Sequence, residues 1–251
     1  MFKKLLFIIL LFNTFSQAYI NLEPPVIGEK EGLETEVALG AIYNSGNTDS
    51  IAANFSAKGQ YNEKTWLTYL IATYAYGESN EIRDNNDGLL HLRYVHEIAD
   101  TPYDYELFMQ TEFNEFQAIK SRDLAGANIR RDFSNDFFDK LYIGIGLFYS
   151  YMEPDTISEI DPVYERVKMN TYISLLKKVN EHFSVTYLGY YQPNVEDFSD
   201  YRIFQTLQLT TTITDHTALS FDIMHKFNAT PYHAVEKTDI RSTISLKYKF
   251  K

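Results

Sequence analysis

The feature that most limits what this chain can fold into is a strict alternation of apolar and polar residues over long stretches. Leu141, Ile143, Ile145, Leu147, Tyr149 and Tyr151 share one parity, against Gly144, Gly146 and Ser150 on the other. Tyr105, Leu107, Met109, Thr111 and Phe113 oppose Glu106, Gln110, Glu112 and Asn114, and Ile240, Ile244, Leu246, Tyr248 and Phe250 oppose Arg241, Thr243, Ser245, Lys247 and Lys249. A period of two places successive side chains on opposite faces of a strand. The pattern begins at Leu33 and recurs to the C-terminus. It divides that part of the chain into about twelve strands of roughly 9–12 residues, the length a tilted strand needs to cross a bilayer.

The polarity of the two faces selects the architecture. The apolar face carries almost no charge. The other carries both signs: Glu34, Glu36, Lys58, Arg93, Glu106, Glu112, Arg130, Asp132, Arg166, Lys168, Asp222, Lys226, Arg241 and Lys247. A soluble sandwich uses shorter strands, typically about 5–6 residues, and wets its polar face. An apolar outside against lipid with a charged, hydrated inside accounts for both faces here. In hydrocarbon every backbone N–H and C=O must be paired, and a sheet achieves this only by closing on itself. The expected fold is all-β: a transmembrane antiparallel up-and-down barrel of about twelve strands, with these charges facing the lumen. Aromatic residues make up 16% of the chain. Tyr43, Tyr61, Tyr74, Tyr76, Tyr94, Tyr105, Tyr149, Tyr151, Tyr191 and Phe250 fall near strand ends, where membrane–water girdles belong.

Three parts follow from N- to C-terminus. Residues 1–18 read as a signal peptide: Lys3 and Lys4, an apolar run over 5–12, and Ser16-Gln17-Ala18 before a cut after Ala18. Residues 19–32, with Pro24-Pro25, read as a periplasmic lead-in, and 33–251 as the outer-membrane barrel. An even strand number brings both termini to one side, here the periplasm of a Gram-negative-type bacterium. There are no cysteines, so no disulfide contributes to stability. The formal net charge of −11 argues against nucleic acid as a partner. The partners expected instead are outer-membrane lipid and lipopolysaccharide, and the assembly machinery that reads a closing strand such as STISLKYKF.

The connections alternate in length. The longer ones centre on 77–86, 116–121, 153–162, 193–200 and 228–237; the shorter ones include 62–64, 177–182 and 213–216. Residues 45–50 and 97–104 depart from the rule. Residues 65–76 are apolar on both faces and leave their orientation open, and 87–96 alternate only weakly.

The stretch LGAIYNSGNTDS at residues 39–50 resembles the opening of the salt-induced outer-membrane protein family, a barrel family without a defined biochemical role. Ser45, Gly46, Asn47, Thr48 and Asp49 match its turn, and Trp66 fits the pattern just after the next turn. The resemblance implies a barrel over residues 33–250 and a tie to salt or osmotic conditions. It supplies no catalytic residues.

Nor do the residues themselves assemble chemistry. The six histidines are scattered, giving no zinc pattern. The acidic run Glu153, Asp155, Glu159 and Asp161 lacks the spacing of a dedicated calcium loop. Ser220 and Asp222 share a face but His225 lies on the other, which spoils a hydrolytic triad. No enzyme activity, metal or cofactor is expected. The expected function is a narrow passive channel or envelope-integrity component. The competing classes are a non-conducting structural or surface-binding barrel and, third, a lipid-acting enzyme. An acidic rim of Glu78, Glu81, Asp84, Asp87, Glu196, Asp197 and Asp200 predicts a preference for cations.

Overall fold

The computed structural model describes residues 24–44 and 49–250. The leader with its cut after Ala18, and four residues of the family turn, Ser45, Gly46, Asn47 and Thr48, lie outside the described residues.

Twelve antiparallel strands form one closed barrel: β1 (Gly32–Asn44), β2 (Ser50–Asn62), β3 (Trp66–Ser79), β4 (Ile82–Glu97), β5 (Tyr103–Asn114), β6 (Ile119–Asp132), β7 (Lys140–Pro154), β8 (Tyr164–Lys178), β9 (Phe183–Pro193), β10 (Tyr201–Thr212), β11 (Thr217–Asn228) and β12 (Thr238–Phe250). Each strand pairs with its sequence neighbours, and β12 closes on β1 with Val37 opposite Tyr248 and Thr35 opposite Phe250. Closure satisfies both edges at once, which removes the unpaired N–H and C=O rows of an open sheet. The strands of the closing seam share five residue pairs, against thirteen between β1 and β2. The start of β1 and the end of β12 lie at one end of the barrel, called here the terminal end; the opposite end is the far end.

The burial pattern is that of an inverted globule. Leu39 is 63% exposed and Leu107 51%, whereas Glu106 is 1%, Arg130 3% and Arg93 5% exposed. Charged groups of this kind are almost never buried in a soluble protein unless paired, and a continuous apolar exterior would aggregate in water. A strand such as β5, with 12 residues, rises about 30 Å when tilted by about 40°, close to the thickness of a hydrocarbon core.

Aromatic rings mark both ends of this belt. At the terminal end Tyr61, Trp66, Tyr94, Tyr105 and His96 follow one another at centroid separations of 5.3–6.2 Å. At the far end Tyr191, Tyr201 and Phe227 continue at 5.6 and 5.5 Å. Trp66 stands on the outer wall between Tyr61 and Tyr94.

Several expectations are refined or corrected. Residues 65–76 now have an orientation: Leu67, Tyr69 and Ala75 point in, and Leu70 and Tyr74 point out. Residues 77–86 are not a long loop. β3 and β4 run through them to a two-residue turn at Asn80 and Glu81, both at positive φ (50° and 64°). Two left-handed residues match the twist of a hairpin, and asparagine tolerates that conformation; the cluster of polar residues around it masked two paired strands. Asp49, the described residue of the family turn, binds this hairpin through reciprocal bonds with Asn80 (2.7 and 3.2 Å).

The lead-in does not extend freely away from the barrel. Ile27 packs on Leu67, Tyr69 and Val95 of the inner wall. Asn62 accepts from the Gly28 N–H at 3.0 Å and donates to the Val26 carbonyl at 2.9 Å. Gly28 sits at φ 74°, where a Cβ would also stand 3.2 Å from the Lys64 carbonyl oxygen, so only glycine turns here without strain.

Candidate functional site

The strand parity that drives apolar residues outward brings polar side chains from non-adjacent strands together across the lumen. At the centre, Glu106 of β5 accepts from Asn128 Nδ2 and from the Tyr172 hydroxyl of β8, each at 2.8 Å. Arg93 of β4 lies 3.4 Å from the same carboxylate and donates to the Tyr190 hydroxyl of β9 at 3.2 Å. Arg130 of β6 donates to Asp104 at 2.8 Å and lies 3.9 Å from Glu106. Both guanidiniums also face rings, Arg130 over Tyr142 at 4.2 Å and Arg93 over Phe108 at 5.3 Å, contacts that favour a desolvated cation. Tyr172 can cross because β7 gives way: a Cβ at Gly144 would meet its ring at 2.1 Å.

Towards the far end, Glu112 of β5 takes Arg122 of β6 at 2.7 Å, and Asp200, just before β10, takes Lys168 and Arg166 of β8 at 3.0 and 3.1 Å. Burial works against the Asp200 carboxylate, but the Thr230 hydroxyl at 2.6 Å, Lys168 and Arg166 hold its pKa below the ordinary range. Arg241 of β12 reaches Asp87 of β4 at 2.9 Å. The connection between β11 and β12 folds over this mouth. Tyr232 stacks on Tyr164 at 5.6 Å and donates to the Met152 carbonyl at 3.0 Å.

Between these groups lies a cavity of about 270 Å³, bounded by Pro24 and Pro25 at the terminal end and by Glu236 and Lys237 at the far end. Among the described residues its wall carries seven lysines and arginines, including Lys58, Arg93, Arg122, Arg130, Arg202 and Lys226, against four carboxylates. The wall of this cavity therefore carries an excess of basic residues in a chain whose net charge is −11.

The residues singled out by parity fall in different settings. Arg93, Glu106, Arg130, Lys168, Asp222 and Lys247 are buried, and Glu34, Glu36, Lys58, Glu112, Arg166, Lys226 and Arg241 are partly buried. Asp132 is exposed at the terminal rim, where it accepts from the Ser134 N–H at 2.7 Å; it shares the inward parity, but its strand ends before it can reach the lumen. The acidic rim is also changed: Asp87 and Asp200 are turned to Arg241 and to Arg166 and Lys168, so two of its seven charges are neutralised by the wall. Ser220 donates to Asp222 at 2.9 Å on the inner face, and His225 stands on the opposite parity of β11. Sequence reasoning missed Arg122 and Arg202. Both lie at strand ends, yet extending the parity of Arg130 back to 122, and of Thr206 and Gln208 back to 202, would have found them.

The family described as Protein of unknown function, DUF481, matches residues 37–250, nearly the whole barrel. The chain belongs to this family. Membership in DUF481 establishes kinship and leaves the activity open; the family description does not carry the salt-related name of the resemblance. The chain matches no curated protein in sequence. Among solved structures it is similar to the NanC porin (15% identity, 88% of this chain and 100% of that one, TM-score 0.48). It is also similar to the KdgM porin (9%, 87% and 99%, 0.46) and to the translocator domain of the autotransporter NalP from Neisseria meningitidis (7%, 89% and 90%, 0.45). Similarity at this level says nothing about cargo, which the barrel's own interior must decide.

Proposed function

We propose that this DUF481 barrel resides in the outer membrane, with both termini in the periplasm, and acts as a narrow passive channel that favours small anions. The observation that carries this reading is the basic wall of the cavity between the two ends. A low-dielectric shell focuses the field of an uncompensated wall charge along the lumen and concentrates ions of the opposite sign. This reverses the cation preference expected from the rim. Outer-membrane placement draws on the inverted burial pattern, the two aromatic girdles and the leader-like residues 1–18. Lipopolysaccharide and the barrel-assembly machinery are the corresponding partners.

A second reading has its own support. Arg93–Tyr190 and Tyr172–Glu106 cross the lumen, and Ile27 fills part of the terminal mouth. Such a barrel could be closed at rest and serve envelope integrity, including under the salt or osmotic conditions that the family resemblance implies. Planar-bilayer recording separates the two. The channel reading expects small single-channel currents whose reversal potential in a KCl gradient has the sign of chloride selectivity. Absence of current from correctly folded protein supports the structural reading, and cation selectivity contradicts the basic-lumen mechanism.

A further inference from the structure

Near the far end of the lumen the charges do not cancel. Arg122, Arg166, Lys168 and Arg202 converge on one small pocket beside Met152. Two carboxylates reach these cations. Glu112 binds Arg122 Nη1 at 2.7 Å and lies 3.9 Å from Arg202 Nη1. Asp200 binds Lys168 and Arg166. Lys226 acts electrostatically on Glu112 from β11. The four cations of the pocket thus share two carboxylates.

The pairing leaves donors over. The Arg122 side chain is only 8% exposed, and its Nη2 is buried without a hydrogen-bond partner. Arg202 Nη2 points at Met152 Sδ, 3.1 Å away, and a thioether sulfur is a weak acceptor. A guanidinium stays charged and offers five donors in a fixed plane, a geometry matched by the oxygens of a carboxylate, sulfate or phosphate. Arg122 and Arg202 also line the main cavity, so a solute in the lumen can meet them. They lie on the inner wall, away from the lipid-facing side, which excludes a membrane phosphate as the source.

We propose that Arg122 and Arg202, supported by Arg166, Lys168 and Lys226, bind the oxyanion group of a soluble solute inside the far mouth of the barrel. The buried, unpartnered Nη2 of Arg122 is the observation that points to a ligand. The site is independent of conduction: a barrel that passes no current would still bind.

The test is titration calorimetry on the full-length barrel folded in detergent micelles, with inorganic phosphate as the probe at constant chloride. Wild-type protein binds phosphate saturably, and added salt weakens the binding. Arg122→Met and Arg202→Met weaken it by about tenfold or more, because each removes a charge-assisted donor pair. Arg202→Lys keeps the charge but loses the planar fork, and weakens binding less. It also guards against misfolding of the methionine variants, with heat-dependent gel mobility reporting the folded state. Absence of saturable binding to the wild type overturns the site. So does a folded Arg202→Met or Arg202→Lys protein that binds phosphate as tightly as the wild type.

Discussion

Glu106 is the side chain whose removal should disturb the barrel most for the least change in shape. Its carboxylate receives Asn128 and Tyr172 and lies between Arg93 and Arg130, all four buried. Glu106→Gln keeps the volume and one acceptor oxygen but removes the charge. Arg93 then has no carboxylate partner, and its Nε is already without a hydrogen bond; Arg130 retains Asp104 alone, with Nη2 already unpaired. Breaking a buried ion pair by deleting one member costs about 3–5 kcal/mol, since the surviving charge stays desolvated. For a chain of this size a guanidinium slope of about 4 kcal/mol per molar is reasonable, so the unfolding midpoint should fall by about 1 M. Trp66, the one tryptophan, stands in the outer girdle, and its fluorescence reports unfolding from lipid vesicles. The companion Glu106→Gln, Arg93→Met variant should recover part of the loss, because an apolar replacement leaves no uncompensated charge at position 93. A midpoint for Glu106→Gln within experimental error of the wild type would refute the reasoning and mean that bulk-like water screens the cluster.

Three further outcomes follow from the same geometry. Gly144→Ala drives a methyl into the Tyr172 ring at 2.1 Å; it should cost about 1–3 kcal/mol by overpacking, read from the same unfolding curve, and change single-channel current by displacing the ring. Asn62→Ala removes both bonds to the lead-in; a local loss of about 1–2 kcal/mol should increase protease cleavage around residues 24–28 and raise conductance at the terminal mouth. Because the Asp200 pKa is depressed in the folded barrel, its stabilisation is complete above the ordinary carboxylate value of 3.8 and is lost as pH falls through the depressed value. Amide protection in residues 194–200, relative to the intrinsic exchange rate at each pH, should accordingly stay high at pH 5 and fall under stronger acid, with Asp200→Asn less protected at pH 5 and equal to the wild type once the carboxylate is protonated.

Much of the fold was legible because a barrel wall is a one-dimensional code. Parity alone placed Leu107 and Met109 outside and Glu106 and Glu112 inside, and it needed no tertiary information. It failed where both parities are apolar. Leu67 and Val95 point inward, where Ile27 returns to pack on them, a long-range contact that alternation cannot encode. It failed again at 77–86, where Asn80, Asp84 and Asn85 read as loop residues while the backbone stays paired to a two-residue turn. The site was less legible than the wall. The charges of Arg93, Glu106 and Arg130 were visible, but their partners Tyr172 and Tyr190 lie more than sixty residues away in sequence. The excess of basic residues on the cavity wall stayed hidden for the same reason: the total charge is acidic, and only closure of the sheet reveals which charges share one wall.

Spin-label accessibility along β5 and β7 tests most directly whether the oily face of the barrel meets lipid. Labels placed singly at residues 105–109 and 143–147 of vesicle-reconstituted protein should alternate with a period of two. Leu107, Met109, Ile145 and Leu147 should collide freely with dissolved oxygen and be shielded from a water-soluble nickel reagent, while Phe108, Gly144 and Gly146 should show low oxygen access. Uniform access to the nickel reagent at the leucine and isoleucine positions would place that face in water and contradict a membrane-spanning barrel.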